Sequence, residues 1–153
     1  MDSLQTKDIQ LKELKPIIKE QLANGCNVRL FPKGTSMRPM LRQGIDSVIL
    51  SPISGTLQKY DLPLYQRDNG QYVLHRIVGV GETYTCIGDN QFLYEHGVKH
   101  AQMIAVVTEF YRGENKISVN SVLHRLYYRL WHYSRPVRYF CYRAIWRLRR
   151  LFK

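Results

Sequence analysis

The sequence predicts a mainly β domain that follows an N-terminal helix and precedes a basic helical tail, so the chain as a whole is of the α+β class. Short apolar runs bounded by turn residues fill residues 28–113, a pattern typical of strands. Apolar residues recur at helical spacing in residues 1–27 and again in residues 119–153. A chain of 153 residues fits one domain and can bury a core without disulfide support.

The N-terminal helix is predicted over residues 7–24 from apolar residues at intervals of three and four. These are Leu11, Leu14, Ile18 and Leu22. Asn24-Gly25 supplies a stop signal, since glycine readily takes the left-handed conformation that ends many helices. Pro16 interrupts the pattern, so the helix is expected to start either near residue 7 or near Pro16.

Six strands are predicted in the β region from short runs rich in apolar residues. They cover residues 28–31, 47–50, 61–66, 71–80, 83–87 and 103–111. Asn69-Gly70 lies between the third and the fourth and is a strong hairpin signal, because both residues of such a turn need a positive φ. A second hairpin is predicted to turn at Gly81-Glu82.

The tail is predicted to contain two helices. An apolar stripe defines the first helix and consists of Leu123, Leu126, Tyr127, Leu130 and Trp131. Ser134 is a candidate cap for the second helix, with Pro136 inside its first turn. The apolar face of that second helix consists of Val137, Phe140, Cys141, Ala144, Ile145 and Leu148.

The net charge of +11 is concentrated in residues 119–153, which hold eight Arg and one Lys but no Asp or Glu. Three interpretations of this tail stay open. Its helices could lie on an anionic membrane surface, with Trp131, Phe140 and Trp146 at the lipid boundary. They could bind nucleic acid phosphates, although aromatic residues beside an apolar stripe disfavour this. They could also pack on the domain with their charges solvated.

The sequence also predicts a cytosolic setting. Its three cysteines, Cys26, Cys86 and Cys141, are widely spaced and show neither a disulfide framework nor a zinc pattern. No run of about 18 apolar residues is long enough for a transmembrane helix, and the N-terminus does not have the pattern of a signal peptide. No cofactor and no metal are expected.

Three motifs in the β region carry the residue types of a serine hydrolase. Ser36 lies in residues 34–39, which read Gly-Thr-Ser-Met-Arg-Pro, and a serine hydroxyl needs a neighbouring base to become nucleophilic. His75 is the candidate base, since imidazole titrates near pH 6.5. Asp89, within the turn Gly88-Asp89-Asn90, is an acid that could orient His75.

The order of these motifs resembles the signal peptidase and self-cleaving repressor superfamily of serine peptidases, over about residues 30–111. The resemblance implies the mainly β fold of that superfamily, with Ser36 as nucleophile. It also implies the histidine type of the superfamily, because His75-Arg76 stands where other members have a lysine base. The chain also resembles a branch of short bacterial proteins of this superfamily with an arginine-rich aromatic tail. Glu95 is a second candidate for the orienting acid, since the histidine type has an important acid near that place.

The resemblance also implies a set of oxyanion and substrate-binding residues. These are Gly34, Thr35, Met37, Arg76, Gly88 and Asn90. Signal peptidases usually have a serine where this chain has Gly34, so the oxyanion hole is expected to depend on the backbone N–H of Ser36. Members of the superfamily usually have a Gly-Asp pair after the serine, which Ile45 interrupts here between Gly44 and Asp46. They also usually have a Lys-Gly-Asp motif, in which Tyr60 replaces the glycine here.

The expected function is therefore a Ser/His endopeptidase that acts on a peptide or protein substrate at the cytosolic side. Two alternatives stay open. The chain could be a peptide-binding module that kept the fold but lost activity, as the departures at Gly34 and Ile45 suggest. It could also be a self-cleaving regulator, although about 25 residues before the β region are too few for a helix-turn-helix domain.

Several other residues are assigned to packing or to the surface. Cys86 is predicted to be a small core residue, and Tyr60, Tyr65 and Tyr72 are predicted to be packing residues within strands. Met37 and Met40 could line a substrate pocket or fill the core, and the resemblance favours the pocket for Met37 only. Surface positions are predicted for the histidines without a ligand pattern, which are His96, His100, His124 and His132.

Overall fold

The computed structural model describes residues 11–151 (with side chains for residues 16–148 and 150), and within them it contains three α-helices and nine strands. The helices are α1 Leu11–Ala23, α2 Val122–Tyr133 and α3 Arg135–Leu151. The strands are β1 Val28–Leu30, β2 Ser47–Ser51, β3 Pro63–Gln66, β4 Tyr72–Leu74, β5 Arg76–Val80, β6 Tyr84–Ile87, β7 Glu95–Val98, β8 Met103–Arg112 and β9 Asn115–Ser118. The fold is mixed α+β with a mainly β body, as the sequence predicts.

Helix α1 covers the described part of the predicted N-terminal helix. It continues through Pro16, and Gly25 follows it with a φ of 74°, the left-handed conformation that ends many helices. Its core-facing side chains, Ile18 and Leu22, are buried. Residues 7–10 of the predicted helix lie outside the described residues.

The larger sheet has the order β1-β2-β8-β3-β4, and β9 pairs with β8 beyond this path. The long strand β8 is central because β2, β3 and β9 all pair with it antiparallel. The predicted hairpin between β3 and β4 is confirmed, and Gly70 has a φ of 83°. The turn differs from the prediction in that Asn69 does not share this positive φ.

The predicted strand 71–80 is wrong in one respect, because it is two strands in different sheets. Strand β4 ends at Leu74 in the larger sheet, and β5 begins at Arg76 in a second sheet of order β5-β6-β7. His75 is the single residue between them. After the crossing, Arg76 already lies opposite Ile87 of β6, and the amide of Ile77 donates to the carbonyl of Asp61 in the loop before β3. The break places His75 at the junction of the two sheets.

Two apolar clusters fill the body, one for each sheet. The larger cluster combines α1 with β2, β3 and β8, and includes Leu50, Leu64 and Phe110. The smaller cluster lies between β3 and the second sheet, and includes Tyr65 and Cys86. Cys86 is fully buried, which confirms its prediction as a core residue.

The tail helices form as predicted, but they bury a different face. Leu123, Leu126 and Leu130 of the predicted stripe are exposed. The buried side chains of α2 are instead His124 and Tyr128, so the prediction of a surface position for His124 is wrong. The ring of His124 packs against Phe110 of β8 and against Tyr128, because the body offers an aromatic surface at this place. The apolar face predicted for α3 is exposed along its described length.

Ser121 caps the N-terminus of α2 by accepting a hydrogen bond from the amide of His124. Ser134, the predicted cap of α3, is the turn residue that ends α2, and its hydroxyl donates to the carbonyl of Trp131. Its predicted capping role is therefore wrong. Within residues 11–151, no helix has the length and hydropathy that a membrane span requires.

Candidate active site

A cleft of about 320 Å³ brings the predicted serine and histidine together. Ser36 lines it from the loop between β1 and β2, and His75 lines it from the junction of β4 and β5. The predicted residues Gly34, Thr35 and Met37 line the same cleft. Each of these residues is described, and no hydrogen bond joins Ser36 to His75. The two side chains share one cleft without being hydrogen-bonded to each other.

A larger cleft of about 1000 Å³ lies beside α1 and is lined by Lys19, Asp68 and His100 among others. Thr56 lines it as well as Lys19, but its histidine, His100, is hydrogen-bonded to Tyr84 and not to an acid. A nucleophile is activated by a base that a third group orients, as Glu95 contacts His75 in the smaller cleft. The smaller cleft is therefore the better candidate active site.

The turn at residues 88–90 fixes the position of the loop between β1 and β2 that contains Ser36, here called the serine loop. The amide of Asn90 donates to the carbonyl of Ser36 at 2.8 Å, and its side-chain Nδ2 donates to the carbonyl of Thr35 at 3.3 Å. A Cβ atom at Gly88 would lie 2.7 Å from the carbonyl oxygen of Ser36, closer than real Cβ contacts allow. Glycine is therefore required at this position for a close backbone approach.

Glu95 is the acid that contacts His75. Its Oε1 lies 2.9 Å from His75 Nδ1. Because an ionised carboxylate only accepts hydrogen bonds, Nδ1 carries the proton and donates it, which leaves Nε2 as the nitrogen that can act as a base. Of the two acids that the sequence leaves open, the geometry brings Glu95 and not Asp89 to the imidazole.

Two residues that the sequence analysis did not assign to the site hold Glu95 in place. The hydroxyl of Tyr65 donates to Glu95 Oε2 at 2.9 Å, and Arg67 Nε donates to the same oxygen at 2.8 Å. The second arm of the Arg67 guanidinium pairs with Oε1. Tyr65 and Arg67 are two residues apart at the end of β3, and the period of a strand brings such a pair to one side. This i, i+2 spacing is the feature of the sequence from which both residues could have been predicted to lie on one side of the strand.

The electrostatics of this group favour a neutral base beside an ionised acid. Burial lowers the pKa of His75 below 6.5, although the charge of Glu95 opposes this change. Burial would raise the pKa of Glu95, but hydrogen bonds from Arg67 and Tyr65 outweigh it and lower that pKa. Burial also raises the pKa of Tyr65, so its hydroxyl stays a donor. Near pH 7, His75 is therefore neutral and Glu95 charged.

Asp89 belongs to a separate ion pair with Arg76. Arg76 Nε and Nη2 donate to the two carboxylate oxygens of Asp89 at 2.9 and 2.8 Å, and both side chains are buried. The guanidinium also lies over the ring of Tyr128 at 4.8 Å and donates to the carbonyl of Tyr60. Arg76, predicted from the resemblance as a binding residue, thus does not line the cleft.

The departures at Ile45 and Tyr60 also have structural outcomes. Asp46, beyond Ile45, is fully buried and accepts hydrogen bonds from Arg42 and from the amide of Gly113. It therefore anchors the serine loop to the hairpin between β8 and β9. Tyr60 lies in a turn with a φ of 81°, not in a strand, so the position where the resemblance leads one to expect glycine takes the left-handed conformation.

We compared the chain with protein-family models, with curated proteins and with solved structures. None of the three comparisons finds a match. Within the described residues, no group of three or more His, Cys, Asp or Glu is arranged to hold a metal ion. The functional conclusion therefore depends on the geometry of the cleft.

Proposed function

We propose that the protein is a serine endopeptidase of the histidine type, with the fold of the signal peptidase and self-cleaving repressor superfamily. One observation carries the proposal. Ser36 and His75 line one cleft, and the histidine presents its second nitrogen because Glu95 occupies the first at 2.9 Å. A nucleophile, a base and an orienting acid are the parts that acyl transfer to a serine requires.

In the proposed reaction, the hydroxyl of Ser36 attacks the carbonyl carbon of a peptide bond and gives its proton to His75 Nε2. The imidazolium then donates this proton to the leaving amine nitrogen as the C–N bond breaks, which leaves an acyl-enzyme. Water hydrolyses the ester by the same proton route and restores Ser36. Substrate binding must bring the serine hydroxyl within hydrogen-bond reach of His75, a tightening that is common when enzymes bind substrate.

The negative oxygen of the tetrahedral intermediate needs hydrogen-bond donors, and the backbone N–H of Ser36 is the proposed one. Gly34 has no hydroxyl to add to it. The carbonyl of Thr35 lies in the same peptide plane as the Ser36 N–H, and it accepts a hydrogen bond from Asn90 Nδ2 at 3.3 Å. We therefore propose that the Gly88–Asn90 turn organises the oxyanion hole without contacting the substrate.

The proposed substrate is a peptide or protein, and the proposed setting is the cytosolic side. Cys26, Cys86 and Cys141 are all unpaired, in keeping with a reducing compartment. The reaction needs no cofactor or metal, since each proton transfer uses a residue of the chain.

The test is cleavage of a defined peptide library, followed by mass spectrometry. We expect the wild type to cleave some peptides, and Ser36→Ala and His75→Ala to lower the rate by at least about 10³-fold. Ser54→Ala and His96→Ala change exposed residues outside the cleft and should cleave like the wild type. Cleavage that persists in Ser36→Ala would show that another residue is the nucleophile.

A second candidate function is a peptide-binding module without activity. The missing hydrogen bond between Ser36 and His75 and the missing hydroxyl at Gly34 favour it. It predicts peptides that bind in the cleft and stay intact, with no loss of binding in Ser36→Ala. A self-cleaving regulator would instead show cleavage of its own chain at a rate independent of protein concentration.

A further inference from the structure

The outer face of α2 and α3 is an exposed apolar stripe. Its members lie on one side of both helices, at intervals of three, four, seven or eight residues: Leu123, Leu126, Leu130, Val137, Phe140 and Leu148. Leu123, Leu130 and Phe140 expose 79%, 63% and 74% of their surface. A soluble helix usually turns such a stripe toward a core. This stripe therefore lacks a partner within the described part of the chain.

The two helices present the stripe as one surface. Ser134 is the turn residue between them, and its amide donates to the carbonyl of Leu130 while its carbonyl accepts from the amide of Arg138, the spacing of helical hydrogen bonds. The opposite side of α2 is held by the body, because His124 and Tyr128 are buried there. From Leu123 to Leu148 the stripe thus faces outward along about 38 Å, at 1.5 Å per helical residue.

Charge selects among the possible partners of this stripe. Arg125, Arg129, Arg143, Arg147 and Arg150 are exposed on the same two helices. Residues 119–153 contain no Asp or Glu that could pair with them. A second copy of these helices would bring arginines against arginines, and like charges oppose such pairing. The partner must therefore be anionic and must also accept apolar side chains.

We propose that the stripe of α2 and α3 docks on an anionic lipid bilayer. Apolar side chains enter the boundary between headgroups and acyl chains, while the arginines bind lipid phosphates. Nucleic acid offers the phosphates but no apolar layer for a six-residue stripe, so it fits the surface less well. The docked protein is peripheral, with its helices parallel to the membrane plane.

The experiment is vesicle co-sedimentation of the full chain, with neutral phosphatidylcholine vesicles and with vesicles containing about 30% phosphatidylglycerol. We expect binding to the anionic vesicles to exceed binding to neutral ones at least tenfold. Raising the salt to about 1 M should weaken it, because salt screens the arginines. Binding that is equal on both vesicle types, or absent from both, overturns the proposal.

A matched pair of double variants tests the stripe itself. Leu126→Glu with Phe140→Glu should lower the partition coefficient at least tenfold. Ile45→Glu with Val80→Glu makes the same charge change at exposed apolar residues of the body and should bind like the wild type. If both double variants lowered the partition coefficient equally, the loss would result from the change in net charge, and the proposed apolar contact would be wrong.

Two further measurements test the other possible partners, a second copy of the chain and nucleic acid, and a positive result in either one would overturn the proposal. A dimer in sedimentation velocity that Phe140→Glu disrupts would make a second copy the occupant. Tighter binding to duplex DNA than to anionic vesicles would make the surface a nucleic-acid site. The inactive Ser36→Ala variant should bind vesicles like the wild type, so this inference and the proposed peptidase function fail separately.

Discussion

His75 and Arg76 are neighbours in the chain, yet their side chains enter two polar groups of different character. His75 lies against Glu95 in a group that lines an open cleft, and the Glu95 side chain keeps 23% of its surface exposed. Arg76 pairs with Asp89 in a group that is closed, with 3% and 4% exposed. The first group is open to the cleft in which we propose that substrate binds, whereas the second is closed off from solvent.

The second group connects the body to the tail. The indole of Trp131 donates to the carbonyl of Asp89 at 2.8 Å, and Arg138 lies over the Trp131 ring at 3.8 Å. Arg135, which is buried, reaches the carbonyl of Gly88. The Gly88–Asn90 turn thus contacts the Ser36 loop through Asn90, and it contacts α2 and α3 through the carbonyls of Asp89 and Gly88. One acid, Glu95, is thus placed for the proposed chemistry, whereas the other, Asp89, joins the body to the tail.

The largest expected effect is on stability, from Asp89→Asn. The change leaves the buried Arg76 charge without its partner, which costs about 3–5 kcal/mol of unfolding free energy. Urea denaturation measures it. The matched variant Glu95→Gln removes a partly exposed acid and should cost about 1 kcal/mol or less. Equal losses in the two variants would contradict the division between the groups.

The next effect is on activity, from Glu95→Gln. Without the carboxylate, the imidazolium of His75 loses its stabilising charge, so kcat/KM should fall about 10²–10³-fold. The pH profile gives a second readout. Because the charge of Glu95 raises the pKa of His75, its removal should move the acidic limb of the profile to lower pH. A lower rate with an unmoved limb would mean that Glu95 acts only through structure.

The third effect is acid lability on the tail side of the molecule. Burial and the charge of Arg76 lower the pKa of His124 to about 4. Below about pH 6.5, His124 is therefore protonated in the unfolded chain but stays neutral in the folded chain. The free energy of unfolding is highest above that pH and falls by roughly 2–3 kcal/mol as the pH decreases to 4. His124→Phe should flatten this dependence in urea denaturation, whereas His96→Phe, at an exposed site, should leave it unchanged.

The smallest effect is from Tyr65→Phe. It removes one hydrogen bond to Glu95 and keeps the buried ring, so kcat/KM should fall about tenfold or less. Tyr84→Phe removes a hydroxyl that contacts His100 on another part of the second sheet and should leave kcat/KM unchanged. A loss in Tyr65→Phe no larger than in Tyr84→Phe would separate Tyr65 from the catalytic group.

The sequence predicts the cleft better than it predicts the acids. Ser36, His75 and the turn at Gly88 could be found because each lies in a short motif with a distinct residue type. The choice between Asp89 and Glu95 could not, since it depends on the register that sets Glu95 opposite Cys86 across the second sheet. The strand β7 that carries Glu95 was not predicted, because Gly97 and two polar residues give it little strand propensity.

The tail shows a second limit of sequence patterns. The leucines of α2 have the spacing of a buried face, yet they are exposed. The side of α2 that packs on the β domain is the one with His124 and Tyr128. Periodicity locates a face on a helix, but the shape and chemistry of the facing surface decide which face is buried. The exposed leucines are thus left for the proposed membrane contact.

The most direct test of the central claim is the rate at which a fluorophosphonate probe labels the serine. Intact-mass and peptide mapping should find one adduct per wild-type chain, on Ser36, and none in Ser36→Ala. Labelling of Glu95→Gln should be at least tenfold slower, because His75 then activates the serine less well. A folded wild type without an adduct, or an adduct that persists in Ser36→Ala, would contradict the claim that His75 and Glu95 activate Ser36.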